Sequence, residues 1–428
     1  MRFRAGSGIF AAVSDEPDKI GPLKCVRLLD TFSDLIDKHV PDDPDTHGNR
    51  QLHLSDTLRV LMAAFFNPTA RSLRLIELLS QKQRINERLG VRRVARSTLS
   101  DALAQFDPER IRPLIAHLRQ QLPALQRIDR DLESITRQLI AADGSYFNLA
   151  GDVTWAMSCR RGNNPDHTQS RVRLNLQLNI DSLLPIDCDV SGAGDGSEAA
   201  AFMRRIHKDA VYIVDRNFNH FGFLRAVLEK GSSVVVRLRS DTHVEPLVDQ
   251  PTRVLTGRDT ELNIRTDRLV TLGTLLNTRH RRNGNPPTQT LREVVVWDEK
   301  NKTEIRLLTD ILDVPAHVIG MLYQLRWQIE LFLRWLKVFA AMEHLVSFSK
   351  NGVTIQFYVA VIACLLMYLN TGRRPGKYLL FEMQMIACGM STPEEMSTSL
   401  ARLDRERELA AARAKKKATE KALSKIEK

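Results

Sequence analysis

Residues 323–337, YQLRWQIELFLRWLK, set one carboxylate, Glu330, among Tyr323, Arg326, Arg334 and Lys337 in a run otherwise rich in Leu, Ile, Phe and Trp. At about 100° per helical residue, Tyr323, Arg326, Glu330 and Lys337 fall within about 60° of one another. Leu322, Leu325, Ile329, Phe332, Leu333 and Leu336 gather on a different arc, which predicts the buried face. The polar line therefore lies at the border of the core. Arg326 and Glu330 stand four residues apart and could be a plain ion pair worth a few tenths of a kcal/mol.

Two further acids suggest more. Asp143 closes the apolar run RQLIAAD before Gly144, a turn former, and Asp215 closes AVYIVD before RNF. An acid at the C-terminal end of a buried strand sits where α/β sheets open their ligand crevice, although such an Asp often only caps the turn that follows. Together with Glu330 the pair would offer three oxygen ligands, which suits paired Mg²⁺ ions. Two ions about 3.5 to 4 Å apart can activate a water or a 3′ hydroxyl and stabilise the leaving oxygen of an in-line phosphoryl displacement. Arg326 would then grip a phosphate in bidentate fashion, Lys337 would act as a point charge and Tyr323 would donate a hydrogen bond. Asp152, Asp187, Asp189 and Asp195 are competing acids, but none ends an apolar strand as cleanly. His220 reads as a surface histidine at a helix start. The cluster RHRRNG at 279–284 is either a backbone-tracking patch or a solvated loop.

These groups need a scaffold. Residues 1–130 read as a helical domain, with apolar residues three and four apart in LKCVRLLDTFSDLIDKHV and LSDTLRVLMAAFFN and a linker at PDDPDTHGNR. Within it, RSTLSDALAQFDPERI, capped by Ser97 or Thr98, is either the second helix of a helix-turn-helix or an ordinary bundle helix. Beyond Arg137 short β-branched runs alternate with helices at GSEAAAFMRRIHK and HFGFLRAVLEKG, which argues for an α/β core over 131–238 and 311–345. Residues 239–310 read as a β-rich insertion, and 346–428 as a helical region with a mixed-charge tail that carries a basic run at Lys415–Lys417. The apolar segment VTIQFYVAVIACLLMYLN includes Thr354 and Gln356 and reads as a buried helix in place of a membrane span.

Composition frames the same reading. With 428 residues, 43% hydrophobic and 26% charged, the chain is an ordinary globular one of two or three domains. Its net charge of +11, from 62 Lys and Arg against 51 Asp and Glu, favours a polyanionic partner. Five scattered cysteines, Cys25, Cys159, Cys188, Cys364 and Cys388, form no C-x-x-C pair and read as reduced thiols of a cytosolic protein. The N-terminus lacks the apolar core of an export signal.

The pattern Tyr323-x-x-Arg326-x-x-x-Glu330-x-x-x-x-x-x-Lys337 matches in full the YREK signature of bacterial insertion-sequence DDE transposases of the IS-four type, and AADGSYF and IVDRNF resemble the first and second aspartate motifs of that family. The resemblance implies a ribonuclease H-like core with a β-rich insertion between the second Asp and the Glu, in an overall α/β chain. It implies a cut-and-paste DNA transposase in which Asp143, Asp215 and Glu330 bind two Mg²⁺ ions, with Mn²⁺ as a substitute. Tyr323, Arg326 and Lys337 would contact double-stranded DNA near the cleaved end, and Trp297 is a candidate, by position alone, for stabilising a flipped base. Work at two distant ends implies at least a homodimer on DNA, in the bacterial cytoplasm at the nucleoid and away from any membrane. Two rivals stand beside this reading: a transposase-derived DNA-binding protein that no longer cuts, and a structure-specific nuclease on the same scaffold.

Overall fold

The computed structural model describes residues 28–40, 52–83, 86–87, 90–91, 93–123, 130–150, 152–160, 168–250, 252–273 and 285–426. The N-terminal stretch weighed for export, Cys25, the linker after Val40 and the cluster at 279–284 lie outside the described residues.

The centre is a ten-stranded mixed sheet. β1 (Gln138–Asn148) lies antiparallel to β3 (Thr168–Asn179) on one side and parallel to β5 (Ala210–Val214) on the other. The far edge of β3 is shared by β2 (Met157–Arg160) and β4 (Leu184–Ser191), and β5 is followed by the parallel β6 (Ser233–Arg237). In AVYIV of β5 and LIAA of β1 every residue is buried, as a strand covered on both faces requires.

Residues 239–310 are rich in strands, and these strands continue the same sheet. β10 (Thr303–Thr309) pairs antiparallel with β6, and β9 (Leu291–Asp298), β8 (Ile264–Leu272) and β7 (Val244–Pro246) follow outward in that order. The edge of β6 that would otherwise need covering is thereby paired.

Among the described residues, the α-helices α1 (Leu28–His39), α2 (Leu54–Phe65), α3 (Leu73–Ser80), α4 (Arg96–Gln105) and α5 (Arg112–Gln120) precede the sheet. α4 follows an extended Ala95 that offers no side-chain cap, so Ser97 and Thr98 lie inside its first turn instead of capping it. On one face of the sheet sit α6 (Glu198–Met203) and α7 (Phe221–Glu229), whose apolar residues pack on Ile140, Ala142, Tyr212 and Val214. α8 (Gly257–Glu261) is a single short turn in the insertion.

On the other face lie α9 (Ala316–Leu325), α10 (Trp327–Val338) and the apolar α11 (Lys350–Thr371), which packs against β4 and the N-terminal helices and is almost wholly buried. Its buried setting matches the expectation from Thr354 and Gln356. Ser349 accepts from the Gly352 amide at its start, and Gly372, at φ 67°, ends it in the left-handed conformation that glycine adopts freely. α12 (Lys377–Ala387) and α13 (Pro393–Ile426) close the chain.

Candidate active site

Asp143 lies on β1 where the parallel ladder stops. Ala141 pairs with Ile213, so continuing that register by two residues sets Asp143 beside Asp215, the residue that follows β5. The expected turn at Gly144 does not exist: β1 runs on to Asn148, because its antiparallel ladder with β3 continues through the pair Asn148 and Arg171. Gly144 serves another purpose. A Cβ built on it would come within 2.5 Å of Oε1 of Glu198, so a side chain there would push that carboxylate aside.

Asp215 does cap the turn after β5, accepting the Asn217 amide on Oδ1 at 2.7 Å. This fixes the carboxyl at the sheet end and gives Asn217, after the second aspartate, a backbone role. Asp143 Oδ1 accepts the Gly144 amide at 3.0 Å.

The segment 316–338 is two helices, not one. Arg326 ends α9 and precedes α10, in a helical backbone (φ −51°, ψ −33°) tightened by three-residue hydrogen bonds from its amide to Tyr323 and from the Ile329 amide to its own carbonyl. Leu322, Ile329, Phe332, Leu333 and Leu336 are buried as expected, and Leu325 is half-buried. Tyr323, Arg326, Glu330 and Lys337 are all half-buried, at the border of the core. α10 packs on β1, on the face that carries Ala141, Asp143 and Phe147.

Charge is unevenly balanced here. Burial, then the Glu198 carboxylate, push Asp143 up to about 7; Arg326 opposes them, while Asp215 and Glu330 add to the rise. The strand end, the turn after β5, α10 and α6 thus bring four acids into one electrostatic neighbourhood. Arg326 is the cation that acts on Asp143 and Glu330, and Arg173 acts on Glu198. Arg326 forms an ion pair with Glu330 and lies 5.8 Å from the centre of the Tyr323 ring. Burial raises the Tyr323 phenol, with Arg326 and Arg237 opposing and Asp215 adding. Lys337 sits further along α10, its Nζ 4.9 Å above the Phe147 ring, and burial lowers its pKa against the pull of Glu343.

Trp297 stands apart. It is a half-exposed residue of β9 with the Arg265 guanidinium 5.7 Å from its ring centre. It lies at the same end of the sheet as Asp215 but three strands away, roughly 14 Å at ordinary strand spacing. The competing acids are engaged elsewhere: Asp187 with Arg112 at 2.6 Å, Asp189 with Arg204 at 2.9 Å and Asp195 with Lys350 at 2.8 Å, while Asp152 is exposed. His220 precedes α7 as expected.

Glu198 was missed by sequence reasoning because it opens a helix and ends no strand. The available signal was Ser197-Glu198 after a glycine-rich loop, a helix start whose first acid points back toward the sheet end. For a divalent cation, the donors fit in kind: carboxylate oxygens, one of them on Glu198 buried beside the Gly144 amide. In position they are not fully drawn together. Among the described residues no three Asp, Glu, His or Cys side chains already converge as a metal cage, and Glu330 is turned to Arg326.

Comparison with known proteins points one way. Residues 134–366 match the family described as Transposase DDE domain. A Sinorhizobium fredii protein carrying the transposase name y4zB is 27% identical over 197 residues, 46% of this chain and 52% of that one. A Geobacillus stearothermophilus protein named as a transposase for insertion sequence element IS5377 is 25% identical over 199 residues, covering 46% and 48%. A Synechocystis protein named for element IS4SA is 22% identical over 277 residues, covering 64% and 71%. The chain spans about half the length of the first two relatives. Among solved structures, the piggyBac transposase synaptic complex with hairpin DNA aligns over 93% of this chain and 86% of that one at 13% identity, with a TM-score of 0.41.

Proposed function

This chain belongs to the transposase DDE domain family, and from that premise we propose that it is the cut-and-paste DNA transposase of an insertion sequence, which nicks the ends of its element and joins the freed 3′ hydroxyls to target DNA. The observation that carries the reading is the convergence of acids from separate elements on Asp143, whose carboxyl burial first and then Glu198, Asp215 and Glu330 push up to about 7. An architecture built for stability alone would not gather like charges at the end of a buried sheet.

In this reading the strands β4-β3-β1-β5-β6, three antiparallel and then two parallel to β1, form a ribonuclease H-like core. The domain divisions at 130, 238, 310 and 345 belong to the same proposal. Asp143, Asp215 and Glu330 would hold two Mg²⁺ ions, or Mn²⁺ in their place. Bound there, the ions would supply a lowered pKa for the attacking oxygen and charge stabilisation for the leaving one. The protein's own groups do the rest. Asn217 and Gly144 amides orient the two aspartates. Arg326 shields Glu330 before substrate arrives and would exchange that partner for a DNA phosphate, for which its planar fork is suited. Tyr323, its phenol protonated at neutral pH, would donate to the same backbone, and Lys337 would hold a phosphate further along. Trp297 would lie on the insertion side of the bound end. Two ends require two active sites, which supports a homodimer on double-stranded DNA in the cytoplasm, at the nucleoid.

The test is cleavage of a labelled duplex carrying the DNA that flanks the gene, with Mg²⁺, by the wild type and by Glu330→Gln. Cutting at a defined end by the wild type alone is the expected result. Specific binding without cutting by both would favour a DNA-binding derivative, and cutting without preference for the ends would favour a nuclease.

A further inference from the structure

We propose that Tyr146 and Arg171 form a stacking platform for an unpaired nucleobase of the DNA end, with Arg171 holding the phosphate beside it. The inference rests on the transposase reading, and it adds a contact on the sheet face opposite α10. The parallel partner β5 ends at Val214, whereas β1 runs on to Asn148, paired beyond Ala141 only with β3. The β1–β3 ribbon therefore projects past the strand ends at Asp143 and Asp215. Its two adjacent aromatics part company there. Phe147 turns to the α10 face and is buried, with the Lys337 ammonium over its ring. Tyr146 takes the other face and stays 42% exposed, so its ring has surface to offer a ligand. It stands three residues beyond Asp143, about 10 Å along the strand.

The neighbouring cations divide in the same way. Arg173, directly opposite Tyr146, is engaged within the fold: its Nε goes to Asn175 at 2.8 Å, an Nη goes to the Gly196 carbonyl at 3.2 Å, and its charge acts on Glu198. Arg171, opposite Asn148, lies diagonal to Tyr146 on the same face, with its guanidinium carbon 4.2 Å from the ring centre. Its Nε is buried without a hydrogen-bond partner, and among the described residues no carboxylate pairs with it. Arg171 is thus the cation left over. An exposed aromatic beside an uncommitted arginine suits single-stranded DNA, because every base offers a π-face and every linkage a phosphate. Bases inside a duplex are already stacked on one another. The fitting ligand is therefore a frayed or unpaired end, which DNA cut beside Asp143 would supply.

The experiment measures, by fluorescence anisotropy, the affinity of the full chain for two labelled DNAs: the blunt duplex that flanks the gene, and the same duplex with a short unpaired 3′ tail. Wild type, Tyr146→Ala, Tyr146→Phe and Arg171→Met are compared, each with its thermal melt. Tyr146→Ala should weaken binding of the tailed DNA by about five- to a hundredfold and change the blunt duplex far less, while Tyr146→Phe should bind as the wild type does. Arg171→Met should make the slope of log affinity against log salt shallower by about 0.7 on the tailed DNA. Wild-type affinity in Tyr146→Ala overturns the platform and leaves the transposase reading standing. So does an equal loss on blunt and tailed DNA, which would make Tyr146 a support of the ribbon alone. No binding of either DNA by the wild type overturns both readings. Should Tyr146→Ala melt early, Tyr146→Leu replaces it, keeping an apolar body without the π-face. Weaker binding of the tailed DNA is expected there, and unchanged binding overturns the proposal.

Discussion

Two regions of the same sheet bury carboxylates, and they treat them in opposite ways. On the outer strands Asp267 and Glu293 each meet a cation, and buried Asp298 is held by the Lys300 and Asn301 amides and the Asn301 side chain. Arg292, 1% exposed, gives Nε and an Nη to the two oxygens of Asp267 at 2.7 Å each and its other Nη to the carbonyls of Val314 and Ile311. Glu293, fully buried, is held by Arg268 on one oxygen and Arg306 on the other. At the end of β1 and β5 four acids crowd together, with Arg326 paired to Glu330 and acting on Asp143, and Arg173 acting on Glu198. A buried acid with every oxygen partnered is architecture, and removing one partner leaves a charge stranded. A group of acids short of cations stores unfavourable energy that a substrate or ion can release, which is how functional sites differ from structural ones.

The largest effect expected from that contrast is on chemistry. Asp143→Asn and Asp215→Asn should each cut single-turnover cleavage by on the order of 10³-fold, about 4 kcal/mol of barrier, while end binding in a gel-shift assay stays close to wild type. Their metal-free melting temperatures should equal or exceed that of the wild type, since each removes a negative charge from a crowded group. A large drop in melting temperature for Asp143→Asn would erase the distinction between the two regions.

The converse holds on the outer strands. Arg292→Met should destabilise the fold by about 3 to 5 kcal/mol, because Asp267 is left buried and unpaired. Denaturant melts would measure this, and cleavage per folded molecule should be nearly unchanged. Asp259 sharpens the case through pH. Burial pulls its carboxyl up, but hydrogen bonds from the Thr256 hydroxyl and amide and from His317 outweigh burial and hold it at about 2. A depressed pKa contributes stability that is present above the unfolded value near 4 and is lost as pH falls toward 2. Asp259→Asn should therefore cost about 2 kcal/mol at pH 7 and flatten the stability profile between about pH 4 and 2. An unchanged slope there would show that another acid sets the acid limb.

How much of this was legible depended on whether a residue's role is local. The YREK spacing exposed the polar line on α9 and α10, because helical periodicity is a property of nearby residues. Asp143 and Asp215 were visible as acids at the ends of apolar runs. The extent of β1 was not, since pairing with β3 carries it past the polar Asp143 and the flexible Gly144, and that pairing is long-range. The tightened backbone at Arg326 was also hidden, since neither proline nor glycine marks it. Glu198 was out of reach for the same reason: its place is set by a glycine more than fifty residues earlier in the chain. The insertion read as strands, but only the partner of β6 shows that they extend the central sheet.

The smallest effect expected concerns Lys337, and it tests whether binding and chemistry are separable at this site. Its ammonium lies over Phe147 on β1, four residues beyond Asp143, and carries no ion pair to either aspartate among the described residues. If it holds one phosphate, Lys337→Ala removes one counterion-releasing contact, so the slope of log affinity against log salt should become shallower by about 0.9. Affinity near physiological salt should fall several-fold, and saturating protein should restore most of the cleavage rate. The cation–π contact with Phe147 is worth about 0.5 to 1 kcal/mol at a partly exposed position, so a small loss in melting temperature is expected as well. A variant with wild-type affinity and salt slope but no turnover would move Lys337 from the DNA-holding group to the reacting one. The cation-poor character of the acid cluster would then have to be reckoned with Lys337 inside it.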